Sequence, residues 1–332
     1  MNSTVDTVAP QQSQLLAQDA GRHYSHTFAV VIPVFNSARI LRETLRRTQA
    51  VCENNGLDYQ IVAVNDASSD ESWQILQQAA ISNPRIKAIN LVRNYGQHAA
   101  LLCGLRHSTA DYIITIDDDL QNPPEMMMRL INKALEGYDF VCGRFYVKRH
   151  SFHRRWGSKA ISMLNEKIFG KPPEFALTNY RLLERRLAER ISLHHTPHPY
   201  INGLAVSLAS NMANVDVEHH ERAEGKSTYN PARIAKLILT ILFNYSSFPL
   251  RAVCSIGLLV SSVSFCLGIF FVCKALLLKT TVPGWTTIVV LMSFYNGFLA
   301  LMLGMLGEYL IRVLNTTSGE SCYHVREKIN CG

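Results

Sequence analysis

DYIITIDDDLQNPPE, Asp111–Glu125, is the stretch on which the architecture turns. A short β-rich apolar run ends in three consecutive acids, Asp117, Asp118 and Asp119. Pro123 and Pro124 then open a helix, where proline's fixed φ and missing N–H do no harm. Working outward, FAVVIPVF (Phe28–Phe35), YQIVAVND (Tyr59–Asp66) and RIKAINLV (Arg85–Val92) read as earlier strands, and YDFVCGR (Tyr138–Arg144) as a later one. Helical stretches separate them: one ending near Asn54, one over Glu71–Ile81, GQHAALLCGLRHS from Gly96 and PPEMMMRLINKALEG from Pro123. Strands alternating with helices imply an α/β fold with a mostly parallel sheet, in which ligands bind beyond the carboxyl ends of the strands. Asn36, Asp66, Arg93, Asn94 and Asp117–Asp119 all fall at those ends.

The rest of the chain has a different character. Charged residues make up 18% of the 332 residues, below the usual quarter, and the deficit sits in the last third. Residues 1–27 form a polar lead-in without the apolar core of a signal peptide. The eight cysteines show no C-x-x-C spacing, which argues against a zinc or redox cluster and for a reduced compartment. Residues 28–230 are expected to form the catalytic domain. Within it, 144–170 is a basic then amphipathic segment suited to an anionic membrane surface: Arg144–Lys159 holds six Lys or Arg and no acid. Residues 231–250 read as an interfacial helix. Residues 251–313 hold two uncharged runs, about 252–273 and 285–307, each long enough to cross a bilayer, which gives a transmembrane hairpin. Residues 314–332 form a C-terminal tail. Most basic residues lie on the side of the large domain, which places that domain and both termini in the cytoplasm, at the inner membrane.

Packed acids repel and raise one another's pKa, and a hard divalent cation relieves this, with Mg²⁺ shared between carboxylates and substrate phosphates. Asp117 and Asp119 are therefore candidate ligands. Asp66 is placed to accept a hydrogen bond from a base or ribose hydroxyl, with Asp70 as a helix cap. Arg93 and Asn94, beside a helix start at Gly96, suit a diphosphate. Arg222, Lys226 and Tyr229 flank Gly225 in a basic loop suited to closing over phosphates.

VVIPVFN, VNDASSD, LVRNYGQHAAL and IDDDLQNPPE, in this order and followed by a C-terminal hairpin, resemble glycosyltransferase family 2 with a GT-A fold. The resemblance narrows to the bacterial polyprenyl-phosphate glycosyltransferases, among them the bactoprenol glucosyltransferases and the undecaprenyl-phosphate aminoarabinose transferases. Dolichol-phosphate mannose synthases are more distant. It implies inverting transfer of a glycosyl group from a nucleotide sugar, UDP-linked, to polyprenyl phosphate, with Mg²⁺ or Mn²⁺ as cofactor. By position, Pro33, Asn36 and Asp66 would hold the nucleotide, Asp117, Asp119 and Gln121 match the metal and diphosphate motif, and Arg222 matches a phosphate-binding arginine. Glu174, Asn179, Arg181 and Tyr229 would lie at the acceptor site and lid. The family also suggests a homo-oligomer, and Gly297, Gly304 and Gly307 would let helices approach closely.

Departures stand beside the matches. Asn65-Asp66-Ala67 replaces the usual Asp-Asp-Gly, Asp118 fills a position that is usually small, and Asn179 stands where the family often has Asp. The competing readings are a polysaccharide synthase, for which two spans are few, and a non-catalytic nucleotide-sugar-binding membrane subunit. No nucleic-acid motif accompanies the basic charge.

Overall fold

The computed structural model describes residues 24–145, 152–194, 196, 199–218, 231–246, 284–317 and 321–331, with isolated positions between 248 and 277. Two compact units result: one holds the residues before 231 together with 321–332, the other spans Pro231–Glu320.

The first unit is built on a sheet whose strands stand in the order β7-β5-β6-β4-β1-β2-β3-β8. Its first half follows the sequence pattern: β1 (Thr27–Val34), α1 (Ala38–Asn54), β2 (Asp58–Asn65), α2 (Ser72–Ser82), β3 (Ile86–Leu91), α3 (Gln97–His107) and β4 (Tyr112–Thr115). β1 pairs in parallel with both β2 and β4, and β2 with β3. β1 is apolar along its length because both faces are covered, as a central parallel strand requires; Val30, Val31 and Ile32 have no exposed surface. Helix α3 lies so close to β1 that a Cβ on Gly104 would stand 2.3 Å from Val31 Cγ1. Glycine is what this approach requires.

The second half departs from simple alternation. A 3₁₀ turn (Pro124–Met126) leads into α4 (Met127–Ala134) and β5 (Phe140–Phe145). β5 does not neighbour β4. Between them runs β6 (Arg181–Glu184), antiparallel to both. α5 (Phe152–Phe169) precedes β6; α6 (Arg185–Ser192), α7 (Ile201–Leu208) and β7 (Met212–Val217) follow, and β7 pairs in parallel with β5. On the far edge β8 (Val325–Ile329) runs antiparallel to β3. The sheet is therefore mixed, with β6 and β8 against the common direction.

The second unit contains α8 (Pro231–Tyr245), where the interfacial helix is expected, and α9 (Trp285–Thr317). Among the described residues no helix is long and apolar enough to cross a membrane. Most of the first expected span, 252–273, lies outside them. α9 turns large apolar side chains outward, among them Met292, Phe294, Leu299, Leu303 and Leu306. On another side it meets the described helical residues near 257: a Cβ on Gly257 would touch Met302 and Phe298. Tyr309 also donates to the Ser246 carbonyl at 3.4 Å.

Candidate active site

Four strand ends meet at the carboxyl edge of the sheet, and their loops are laced together. Pro33, the last residue but one of β1, is in register with Val64 of β2. After it, the Asn36 N–H donates to Ser68 Oγ at 2.9 Å, and Asn36 Oδ1 accepts from the Ser69 N–H at 2.8 Å. Three non-glycine residues here have left-handed backbone, Asn36, Ala67 and Leu120, each at φ 54°. They follow β1, β2 and β4 respectively. Strain of this kind costs on the order of 1–3 kcal/mol per residue and gathers at functional sites. Ala67 occupies such a position where the resembled family has glycine. Ala67→Gly is therefore expected to stabilise the protein by about 1 kcal/mol, or ~3 °C in melting temperature. A fall in melting temperature would contradict the strain.

The three acids do different work. Asp118 turns back into the protein: Oδ2 accepts from the Phe35 N–H at 3.1 Å and from the Ser37 hydroxyl, while its carbonyl accepts from Thr44 Oγ1 at 3.1 Å. It ties the β4 turn to the start of α1. Asp117 accepts from Gln97 Nε2 at 2.6 Å, and the Asn179 side chain also hydrogen-bonds to it. Asp119 accepts from the Gln121 N–H at 3.2 Å. Burial, then the charges of Asp119 and Asp118, push the Asp117 carboxyl up to about 7, against the pull of Arg181 and Asn179. Burial also raises Asp118, opposed by Ser37 and the Phe35 N–H.

A divalent cation fits this donor set. Hard oxygen ligands crowd together, and their repulsion is what a cation would relieve. Among the described residues no group of three or more His, Cys, Asp or Glu side chains is arranged to hold a metal. With Asp118 tied back, Asp117 and Asp119 remain, and the balance of the ligand sphere would come from substrate oxygens. That is the usual condition of Mg²⁺ at phosphate-transfer and nucleotide sites.

Asp66 follows β2 at the same edge. It is buried, and its two oxygens accept the backbone N–H groups of Tyr95 at 2.7 Å and Gly96 at 2.8 Å. Burial raises its pKa, and these two N–H groups oppose the rise. The carboxylate thus occupies the N-terminus of α3, the position expected for a substrate diphosphate, and fixes the loop that carries Arg93 and Asn94. Those two side chains remain exposed, with the Arg93 guanidinium 5.0 Å from the Tyr95 ring centre. Gly96, at φ 91°, makes the turn possible. Asn65, in place of an acid, donates to Asn90 Oδ1 at 2.9 Å and accepts from Ser68 Oγ at 2.5 Å.

The expected acceptor residues divide. Asn179 joins the acids through Asp117. Glu174 is exposed on the loop before β6, a loop held by Lys171, whose Nζ donates to the carbonyls of Pro172 at 2.8 Å and Phe175 at 3.0 Å. Arg181 does not face outward: it has no exposed surface, and none of its guanidinium nitrogens has a hydrogen-bond partner. Its place on β6 is set by pairing with Thr115 and Cys142. Arg222, Lys226 and Tyr229 lie outside the described residues. Lys171 and the half-buried His98, whose ring lies 5.3 Å from that of Tyr200, are contributors to the site region that spacing alone could not single out.

Two partly buried groups give stability opposite pH dependences. Burial, with Arg181 nearby, holds the His98 imidazole down at about 3, against an ordinary 6.5. The folded state then binds fewer protons than the unfolded one between those values, so this group costs stability as pH falls through that window. Asp117, raised to about 7, does the reverse and adds stability as pH falls from about 7 toward 4. In metal-free buffer, His98→Gln is expected to make the melting temperature less acid-sensitive between pH 7 and 5, and Asp117→Asn more so. Shifts of the same sign in both variants would contradict these assignments.

With the geometry in place, comparison with known proteins agrees on one family. The profile described as Glycosyl transferase family 2 matches residues 29–195. The undecaprenyl-phosphate 4-deoxy-4-formamido-L-arabinose transferase of Edwardsiella ictaluri is 33% identical over 308 residues, 91% of this chain and 94% of that protein. The enzyme of the same name from an Enterobacter species is 34% identical over 92% of this chain and 95% of its own length. Among solved structures, glucosyl-3-phosphoglycerate synthase from Mycobacterium tuberculosis, in complex with Mn²⁺, uridine diphosphate and glucosyl-3-phosphoglycerate, superposes with a TM-score of 0.51. The identity is 16%, over 74% of this chain and 86% of that one, so the likeness concerns the fold.

Proposed function

The chain belongs to glycosyl transferase family 2 and has a GT-A-like fold, and from that premise we propose that it moves a glycosyl group from a UDP-linked sugar to a polyprenyl phosphate. The observation that carries the reading is the match to two undecaprenyl-phosphate sugar transferases over more than nine tenths of the chain. The placement of Asp117 and Asp119 at the carboxyl end of β4 supports it.

Asp117 and Asp119, with Gln121 beside them, would hold Mg²⁺ or Mn²⁺. When bound, the ion offsets the negative charge of the leaving nucleoside diphosphate. Asp118 keeps the acid turn against α1. Asp66 fixes the 92–96 loop so that Arg93 and Asn94 face the donor, whose nucleoside lies along Pro33 and Asn36. Asn179 orients Asp117. Glu174 lies on the acceptor side, and Arg222, Lys226, Tyr229 and the basic 144–159 segment meet the lipid phosphate and close over it. A phosphate monoester is mostly a dianion at neutral pH, so it attacks with little help from a base. Its need is for cations that hold it beside a second anion, so electrostatic stabilisation supplies most of the rate. Inversion follows from one direct displacement.

The second unit attaches the enzyme to the inner membrane. Two uncharged runs in the sequence and the outward apolar side chains of α9 support a two-helix hairpin, with the catalytic unit on the cytoplasmic face.

The test is purified protein in detergent with undecaprenyl phosphate, Mg²⁺ or Mn²⁺, and a panel of UDP-sugars plus GDP-mannose, with lipid products identified by mass spectrometry and EDTA as control. A metal-dependent polyprenyl-phosphate sugar is expected. A polymer would favour the synthase reading. Absence of both product and UDP binding would leave the non-catalytic one.

A further inference from the structure

The chain returns to the first unit in its last residues, and where it lands is informative. β8 covers the edge of β3, pairing Ala88 with Ile329, Ile89 with Lys328, Asn90 with Glu327 and Leu91 with Val325, and the register shifts between Asn90 and Leu91. Past that shift the contacts leave the ladder and reach the 92–96 loop. The Val92 N–H donates to the His324 carbonyl at 2.9 Å. Arg326 Nη2 donates to the Val92 carbonyl at 3.1 Å. The His324 ring meets Tyr95 edge-on at 6.3 Å between centres. Asp66 holds Tyr95 and Gly96 of this loop from the other direction.

The tail is anchored independently of these contacts. Tyr323 is buried, hydrogen-bonds to Cys103, and lies 5.6 Å under the Arg106 guanidinium. Asn330 Nδ2 donates to the carbonyls of Ala80 at 2.7 Å and Ile86 at 2.9 Å. A tail that served only to cover a sheet edge would need the ladder and these anchors. It would not need the Arg326 guanidinium to reach the Val92 carbonyl or the His324 ring to meet Tyr95.

We infer that the C-terminal tail is a working part of the donor site, with His324 and Arg326 as positioning residues that set the loop bearing Arg93 and Asn94 toward a nucleoside diphosphate. This rests on the reading of that loop given above. Fixing a loop in its binding geometry removes the cost of ordering it when ligand arrives, and misplacement by an ångström can cost a hundredfold.

The experiment compares the unaltered full chain with His324→Ala/Arg326→Ala and with Glu327→Ala. Glu327 lies on the same strand, and its side chain accepts from Gln77 Nε2 at 3.3 Å rather than turning to the 92–96 loop. Three quantities are read: hydrogen exchange at the 92–96 amides, the Kd for UDP with Mn²⁺, and KM for donor and for polyprenyl phosphate. The double variant is expected to exchange faster at 92–96 while the β1 and β2 amides stay protected. It should bind UDP about tenfold more weakly and raise donor KM about tenfold, with acceptor KM unchanged. Glu327→Ala should match the unaltered chain. In a variant lacking 321–332, a peptide of residues 321–331 added in trans should restore UDP binding by re-forming the strand. Unchanged exchange at 92–96, or unchanged UDP affinity with only a lower melting temperature, would overturn the inference and leave edge cover as the tail's role. If the unaltered chain bound no UDP, the donor reading itself would fall, while exchange at 92–96 would still decide whether the tail sets the loop.

Discussion

Asp119→Ala is expected to lower sugar transfer about a thousandfold, on the order of 4 kcal/mol of transition-state stabilisation. The size follows from the division of labour among the three acids. Asp118 is already committed to Ser37 and the Phe35 N–H. Asp117 is shared with Gln97 and Asn179. Losing Asp119 therefore halves the carboxylates left for a divalent ion, and the diphosphate loses the charge that offsets its departure. Two companions sharpen the measurement. Asp118→Ala should lower the melting temperature, because it unties the β4 turn from α1, yet retain far more activity than Asp119→Ala. Glu174→Ala, on an exposed loop, should cost little. Initial rates with saturating metal and donor decide the matter; equal rates for the Asp119 and Glu174 variants would refute the dominance of electrostatic stabilisation.

The second large effect is on stability. Asp66→Ala is expected to cost about 3–5 kcal/mol, because two backbone N–H groups lose a charged acceptor in a buried place and each such bond is worth roughly 1.5–3 kcal/mol. At about 2–4 °C per kcal/mol for a domain of this size, the melting temperature should fall by ~10 °C. The 92–96 loop loses its inner support at once, so UDP binding should weaken as well. Asp66→Asn should fall between: one oxygen still accepts, while the new amide N–H₂ faces an N–H donor. A loss under about 1 kcal/mol for Asp66→Ala would mean that Tyr95 and Gly96 are held by other contacts.

Much of the first half of the fold is legible in the sequence, for physical reasons. β1 to β4 are largely apolar between turn residues and alternate with helices, which is the mark of a parallel sheet covered on both faces. Even there, β4 proper stops at Thr115, two residues before the acids. The second half is harder to read. β6 is RLLE, four residues long, and starts with an arginine that the sheet buries, so neither periodicity nor polarity announces a strand. β8 is VREKI, with three exposed charged residues, and passes for a tail until a distant partner is supplied.

The site divides along the same line. Three acids after a strand point to a cation from spacing alone. That the middle acid faces α1, that Asp66 serves Tyr95 and Gly96, and that Arg181 lies inside are consequences of pairing between segments tens of residues apart. Arg222, Lys226 and Tyr229 lie outside the described residues, and their roles rest on the resemblance.

The return of the tail to β3 also bears on synthesis. Val92 and Arg326 touch across 234 positions of chain, with the whole second unit made between them. A nascent chain therefore carries an open strand edge at β3 until residues 325–329 leave the ribosome. The sheet is closed only after α8 and α9 have been made. A polypeptide that stalls or is clipped in those helices would keep its acids but lack the brace on the 92–96 loop. Completion of the second unit and bracing of the 92–96 loop would then arrive together, which limits loose fragments of the first unit with an open sheet edge.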